Sequence, residues 1–315
     1  MINTLPISRA ARRSIPAWVT LAILMACAAL AVPGFLLPSQ LLAIGQQFTP
    51  LLLVAIGQTF ALLVGGVDLS VGSVITLSVV LASGVMQGQE SMALPGVIAC
   101  LAAGAAVGLA NALLIVKLRI PPFIVTLATM SSVRGIAWVY TKGAPKGSVA
   151  ESIRFLANGY WGPIPVAVAL SAVVLIGVWF LLQQGAYGRH VYATGANRTG
   201  ARLVGIPTDR VVMTAYVLSG VFAALAGLVV AGYVGVGSLD VGDRYVLDSM
   251  AAVIIGGTTF AGGQGGVIGT AAGVGILAVL NALFIQSQIP IAARSILLSV
   301  ILVAAALLHA RQSTK

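Results

Sequence analysis

Charge is what this sequence has least of. Only 8% of its 315 residues are Asp, Glu, Lys or Arg, and just seven of those are acidic. Hydrophobic residues make up 59%, and mean hydropathy is +1.06. No water-soluble domain covers that much apolar surface with so few charges, so lipid is the solvent for most of the chain. Cysteine is scarce too. Cys27 and Cys100 both lie inside apolar stretches, where a free thiol is a packing residue and says little about redox compartment. Histidine is scarcer still in useful places: His190 and His309 are far apart, with no Cys or Glu at ligand spacing, so no metal site is expected. There is no G-x-x-x-x-G-K-[ST] phosphate loop; Lys146-Gly147-Ser148 lacks the pattern, which excludes nucleotide binding by that device. No catalytic constellation and no cofactor site emerges. Long polar stretches are missing as well, so a single membrane domain over residues 1–315 is expected.

What is present is apolar sequence in blocks of spanning length, ~20 residues each. Ten segments qualify: 17–37, 41–64, 69–88, 93–116, 121–141, 164–183, 211–232, 245–261, 264–285 and 290–310. The eighth is the weakest, being short and carrying Asp248. The expectation is an all-α polytopic membrane protein with about ten transmembrane helices. At the N-terminus Arg12 and Arg13 precede an apolar run, and Leu24-Met25-Ala26-Cys27 loosely resembles a lipoprotein cleavage box. That run continues to Leu37, too long for a usual signal segment, so an uncleaved first helix is expected.

The formal charge of +10 would suit a nucleic-acid partner, but its placement does not. Threading ten helices with the N-terminus inside puts eleven Lys and Arg on one side, five on the other and Arg134 within a segment. Cytoplasmic loops collect Lys and Arg. The bias therefore sets both termini inside, makes residues 1–16 a cytoplasmic N-terminus, and explains the charge without nucleic acid. The longest inner loop is 184–210. There Asn197 can cap a short helix, and Gly205 with Pro207 can end it. Such a loop is either a basic anchor at lipid headgroups or a docking surface for a cytoplasmic partner. In the outer loop 142–165, Tyr160 and Trp161 fit an interfacial anchor.

Glycine breaks these apolar blocks. The richest breaks are Gly65-Gly66-Val67-Asp68-Leu69-Ser70-Val71-Gly72 and the run from Gly256-Gly257 to Gly265-Gly266. Broken backbone at membrane depth survives only inside protein or beside a wet cavity, so the chain is expected to enclose a path. A weak internal repeat accompanies the breaks: the stretch around Asn111 resembles that around Asn281, and each precedes an Ile-Pro pair. In the threading the two copies run in opposite directions, so segments two to five would match seven to ten as an inverted repeat. Asp68 and Asp248, near segment starts, are helix-terminus acids or functional groups. Arg134, deep in the fifth segment, is an interhelical contact or a pathway residue. Gly104 with Gly108, and Gly265, Gly269 and Gly273, are spaced for close helix packing.

Taken in order, these residues resemble the permease subunits of ribose/xylose/arabinose-type ABC sugar importers over about residues 40–305. Gly65 to Gly72 is similar to that family's G-G-[IV]-D-L-S-V-G block. Ile120-Pro121-Pro122-Phe123 with Arg134-Gly135 is similar to its fifth-helix block. Gly195-Ala196-Asn197, Ala201-Arg202-Leu203 and Gly205-Ile206 are similar to the cytoplasmic block that contacts the ATPase, and Leu247-Asp248 with Gly256-Gly257-Thr258 to the late block. Three positions depart from the pattern: Gly200 for a common Ala, Val246 for a common Glu, and Ala112 for a frequent Gly. Val246 puts a carboxylate role at that position in doubt.

The resemblance implies a permease of the vitamin-B12-importer (type II) kind in a bacterial inner membrane. Its implied partners are a second permease subunit, a cytoplasmic ABC ATPase that hydrolyses ATP, and a periplasmic solute-binding protein. It assigns ATPase coupling to Gly195, Asn197, Ala201, Arg202, Gly205 and Ile206. The pathway and structural breaks are then Gly65, Gly66, Asp68, Ser70, Gly72, Asn111, Arg134, Asp248, Gly256 and Gly257. The competing reading is an ion- or proton-coupled secondary transporter, which also uses broken helices. It wants an ion-binding set at the midplane, where Arg134 is the lone expected charge. A non-transporting scaffold gains nothing from the glycine breaks.

Overall fold

The computed structural model describes residues 7–288, and almost every element is a helix. In chain order these are α1 (Ile7–Ala31), α2 (Pro38–Leu63), α3 (Val71–Met86), α4 (Ala93–Lys117), α5 (Pro122–Thr141), α6 (Glu151–Asn158), α7 (Val166–Gln183), α8 (Ala186–Ala196), α9 (Arg198–Leu203), α10 (Thr208–Val234), α11 (Asp243–Ile255) and α12 (Val267–Gln286). A two-residue antiparallel hairpin, Tyr160–Trp161 with Ile164–Pro165, joins α6 to α7.

Among the described residues, seven helices are long and apolar enough to cross a membrane: α1, α2, α4, α5, α7, α10 and α12. Helix α10 lies at the centre, with 61% of its apolar window buried, against 22% for α5 and 17% for α1. Its composition explains this. Ser219, Gly220, Ala223, Ala224 and Gly227 give it faces without bulk, so backbones approach closely. A methyl group on Gly104 of α4 would strike the Gly220 carbonyl, and one on Gly108 the Tyr216 carbonyl. The glycine spacing in α4 is thus a packing surface against α10. The main core unites Leu53 and Val54 of α2, Val74 and Ile75 of α3, Leu228 and Val229 of α10, and Val253 of α11.

The bundle has two distinct ends. One is basic, where α2 stops, α4 turns into α5, and α8 and α9 lie. The other carries α6 and the hairpin, tied by Gly88 N–H to the Ser148 carbonyl (2.9 Å) and Val149 N–H to the Gly235 carbonyl (3.2 Å). Helices α3 and α11 start between these ends, where Gly72 and Gly242 meet so closely that a methyl group on either would hit the other's backbone. Gly242 N–H also donates to Thr76 Oγ1 (3.2 Å). After α2 the chain turns at the basic end and climbs back inside to start α3. After α10 it turns at the opposite end and re-enters to start α11.

The sequence expectations need several corrections. Nine of the ten expected segments contain a helix; the tenth, 290–310, lies outside the described residues. Two of the nine are too short to span unaided: α3 has 16 residues and α11 has 13. The first helix spans 7–31 rather than 17–37, because Pro33 and Gly34 stop it, Gly34 taking φ +79°. Residues 256–266 are not helical, and Gly257, Gly262, Gly263, Gly265 and Gly266 all have positive φ. The start of α11 at Asp243 puts Asp248 in the second turn, not the first, which removes the helix-terminus account of that acid.

Candidate functional site: a junction of glycine breaks

The break after α2 is built around Asp68. Gly65 takes φ +78° and its N–H caps α2 at the Leu62 carbonyl (2.9 Å). Gly66 must be glycine for a different reason: the Tyr216 hydroxyl of α10 occupies the space a methyl group would need. Tyr216 Oη donates to the Val67 carbonyl (3.3 Å), as does Thr126 Oγ1 of α5 (3.3 Å). Asp68 is 1% exposed. Its Oδ1 accepts from Ser70 N–H (2.9 Å) and Ser70 Oγ (2.6 Å), and its Oδ2 from Ser219 Oγ of α10 (2.7 Å). Asn111 Nδ2 of α4 donates to Ser70 Oγ (2.9 Å). The break at 65–72 is therefore held by α4, α5 and α10, with its polar groups bonded to protein, as hydrocarbon depth requires.

The second break, 256–266, meets the first at the basic end. Gly263 N–H donates to the Leu63 carbonyl (2.8 Å), and Gly262 lies against the Gly65 backbone. Gly256 packs on Gly269 of α12, and Gly257 N–H returns to the Ile254 carbonyl (2.9 Å).

Helix α8 wedges into this meeting point. Gly195 has no room for a side chain because the Leu63 carbonyl and Gly263 N–H crowd it. Tyr192 Oη donates to the Gly265 carbonyl (2.9 Å), and burial pushes its phenol up to about 12, so it remains a donor at neutral pH. Beyond α8, Asn197 caps α9 by accepting Gly200 N–H (2.8 Å). Ala201 is buried, Ile206 packs against the cluster that includes Phe60 and Val211, and Gly205 ends the turn at φ +85°. Arg202 pairs with Asp209 of α10, as does Arg198 (3.1 Å). Beside this junction opens a cavity of about 620 Å³, lined by Gly65, Gly66, Arg119, Asn197, Arg202 and Tyr216 among others.

The comparisons with known proteins bear on this arrangement. Residues 40–306 match the family described as branched-chain amino acid transport system / permease component. The chain belongs to this permease family. It is 34% identical over 267 residues to the ribose import permease protein RbsC of Escherichia coli K12, covering 84% of this chain and 83% of that one. It is 35% identical over 251 residues to RbsC of Bacillus subtilis 168, covering 79% and 78%. It is 32% identical over 255 residues to the L-arabinose ABC transporter permease protein AraH of Azospirillum brasilense, covering 81% and 75%. No solved structure matches the chain. Family and fold together make it a multi-pass membrane protein, a permease component rather than an ion-coupled carrier.

The junction unites half of the sixteen residues assigned from the sequence: Gly65, Gly66, Asp68, Ser70, Asn111, Gly195, Gly256 and Gly257. Gly72 marks the meeting of α3 and α11. Arg134 and Asp248 lie away from it. Sequence reasoning missed Ser219 and Tyr216, polar residues in the central apolar helix. It missed Asp209, seven residues past Arg202 and one of only seven acids. It named Leu203 only as part of the matched block and missed Val204; the two are 84% and 77% exposed on the cap of the short helix. A Leu-Val pair between a capped helix and Gly205 was the available signal for an outward apolar tip.

Proposed function

We propose that this chain is the transmembrane permease subunit of an ATP-binding cassette importer that carries a monosaccharide or similar small polar solute. The observation that carries the reading is the contact of Gly195 with Leu63 and Gly263. Through it, a helix on the basic face touches both glycine breaks at once, so a push on α8 and α9 reaches the backbone that shapes the interior. The Lys/Arg bias makes that face, and both termini, cytoplasmic. Exposed Leu203 and Val204 are then the apolar tip offered to a separate ATPase, with Arg198 and Arg202 held to Asp209 beneath it. Gly195, Asn197, Ala201, Gly205 and Ile206 shape the element rather than present a surface.

In this reading the chain is one membrane domain, 1–315, of ten helices like a vitamin-B12 importer. The short α3 and α11 count among the ten, and the tenth expected segment, 290–310, lies outside the described residues. The inverted repeat rests on matched packing. Helix α10 packs on α3 and α4, while α2 packs on α11 and α12. Gly65 and Gly235 both take left-handed φ, and Gly72 meets Gly242. Each of these pairs, like Asn111 and Asn281, has the same separation in sequence. Two such subunits would enclose the path, and a periplasmic binding protein would deliver the solute. The monosaccharide class follows the ribose and arabinose permeases that the chain resembles.

The test is purification from its native membrane in mild detergent, with partners identified by mass spectrometry. A P-loop ATPase is expected at a stoichiometric level. Recovery of the permease with no ATPase, while a tagged sugar-importer control retains its own, contradicts the reading.

A further inference from the structure

Away from the junction, α5 sets the polar groups Ser131 and Arg134 among exposed apolar side chains such as Leu127 and Trp138. Helix α5 is one of the least covered spans. Arg134 is the thirteenth of its 20 residues, roughly 18 Å along at 1.5 Å per residue, and so near the middle of a span. Its guanidinium reaches Asp243 Oδ2 at 3.1 Å and Asp240 Oδ1 at 3.4 Å. Those acids belong to the re-entrant segment and the start of α11, beside the meeting of Gly72 and Gly242. All three side chains are open: Arg134 is 43% exposed, Asp240 76% and Asp243 53%. Ser131 lies exposed one turn before on the same side of α5, and Gly135 has open space where a side chain would go.

Charges at that depth are costly against acyl chains and face water or protein instead. The cluster therefore marks the side of the subunit that lines a wet path. Two carboxylates and one guanidinium offer acceptors and donors side by side, a set that matches hydroxyls, which both donate and accept. Resting on the transport reading above, we propose that Arg134, Asp240 and Asp243 form a mid-membrane station that hydrogen-bonds the hydroxyls of an uncharged monosaccharide in transit.

The test uses proteoliposomes holding the permease with its ATPase and binding protein. Uptake of radiolabelled D-ribose, L-arabinose, D-galactose and L-leucine is measured first. Monodeoxy analogues of the imported sugar are then compared in wild type, Asp243→Asn and Asp240→Asn. Taking analogue over parent as a ratio cancels differences in delivery by the binding protein. Loss of one charge-assisted hydrogen bond is expected to cut uptake of the parent sugar about tenfold. The analogue missing the contacted hydroxyl is expected to lose far less, because its partner is already gone. A purely structural tether would lower parent and analogues by the same factor, and that result overturns the proposal, as does unchanged uptake in both variants. Should Asp243→Asn fail to elute as a monodisperse species, Asp240→Asn, at the more exposed acid, carries the same comparison. Wild type importing none of the four solutes overturns the transport reading itself, and wild type importing leucine alone overturns the substrate class.

Discussion

Ala201→Pro is expected to abolish solute uptake while leaving the protein inserted in the membrane. Helix α9 has only six residues. Its geometry depends on the Asn197 cap and on Ala201 N–H donating to the Asn197 carbonyl (2.9 Å). Proline removes that donor and clashes with the preceding turn, costing about 3 kcal/mol or more. Helix α9 is only six residues long and is seated mainly on α8 and α10, so Leu203 and Val204 lose their fixed position. The spanning helices keep their packing, because none of their core contacts runs through α9. Transport with the ATPase present should fall by about two orders of magnitude, the factor that 3 kcal/mol represents. Immunoblotting of washed membranes should show normal levels. Uptake at the wild-type rate would remove the coupling role from this loop.

The second large effect is at Asp68. Asp68→Leu deletes the acceptor for three donors: Ser70 N–H, Ser70 Oγ and Ser219 Oγ. A buried donor left without a partner costs about 1–3 kcal/mol, so three together rival the ~5–15 kcal/mol that holds a typical domain folded. The break between α2 and α3 would open, taking the seats of Tyr216 and Asn111 with it. The expected result is a sharp drop in the fraction that stays monodisperse after brief heating in detergent. Asp68→Asn keeps Oδ1 for Ser70 and turns an amide toward Ser219, so it should sit between wild type and Asp68→Leu. Its preference among sugars should not change, because Asp68 is sealed inside protein. Wild-type heat resistance in Asp68→Leu, or an altered sugar preference in Asp68→Asn, would refute this role.

How much of this was legible in the sequence depended on the kind of signal. Apolar blocks located nine helices because burial in lipid leaves a compositional mark that needs no partner. The marks that failed were local. Pro33 and Gly34 end the first helix inside an apolar run, and hydropathy does not register a backbone stop. The glycine run 256–266 was counted partly as helix for the same reason, although positive φ at Gly257 and Gly262 forbids it. Asn197 and Gly205 were read correctly as cap and stop because those roles depend on neighbours a few residues away. What no local pattern could supply was the meeting of distant breaks: Gly195 beside Leu63 and Gly263, Asp68 beside Ser219, Arg134 beside Asp240 and Asp243. Each residue looked ambiguous alone. Arg134 looked like a solitary deep charge only because its acids stand more than a hundred residues later, in a segment assigned to the outer surface.

The most direct test of the central claim is vectorial uptake in sealed proteoliposomes. The permease is reconstituted with its ATPase facing the lumen and its binding protein outside, and radiolabelled ribose or arabinose is followed under ATP, under ADP, and under imposed proton or sodium gradients. The account predicts accumulation only when ATP, ATPase and binding protein are all present. Accumulation driven by an ion gradient without the ATPase would contradict it.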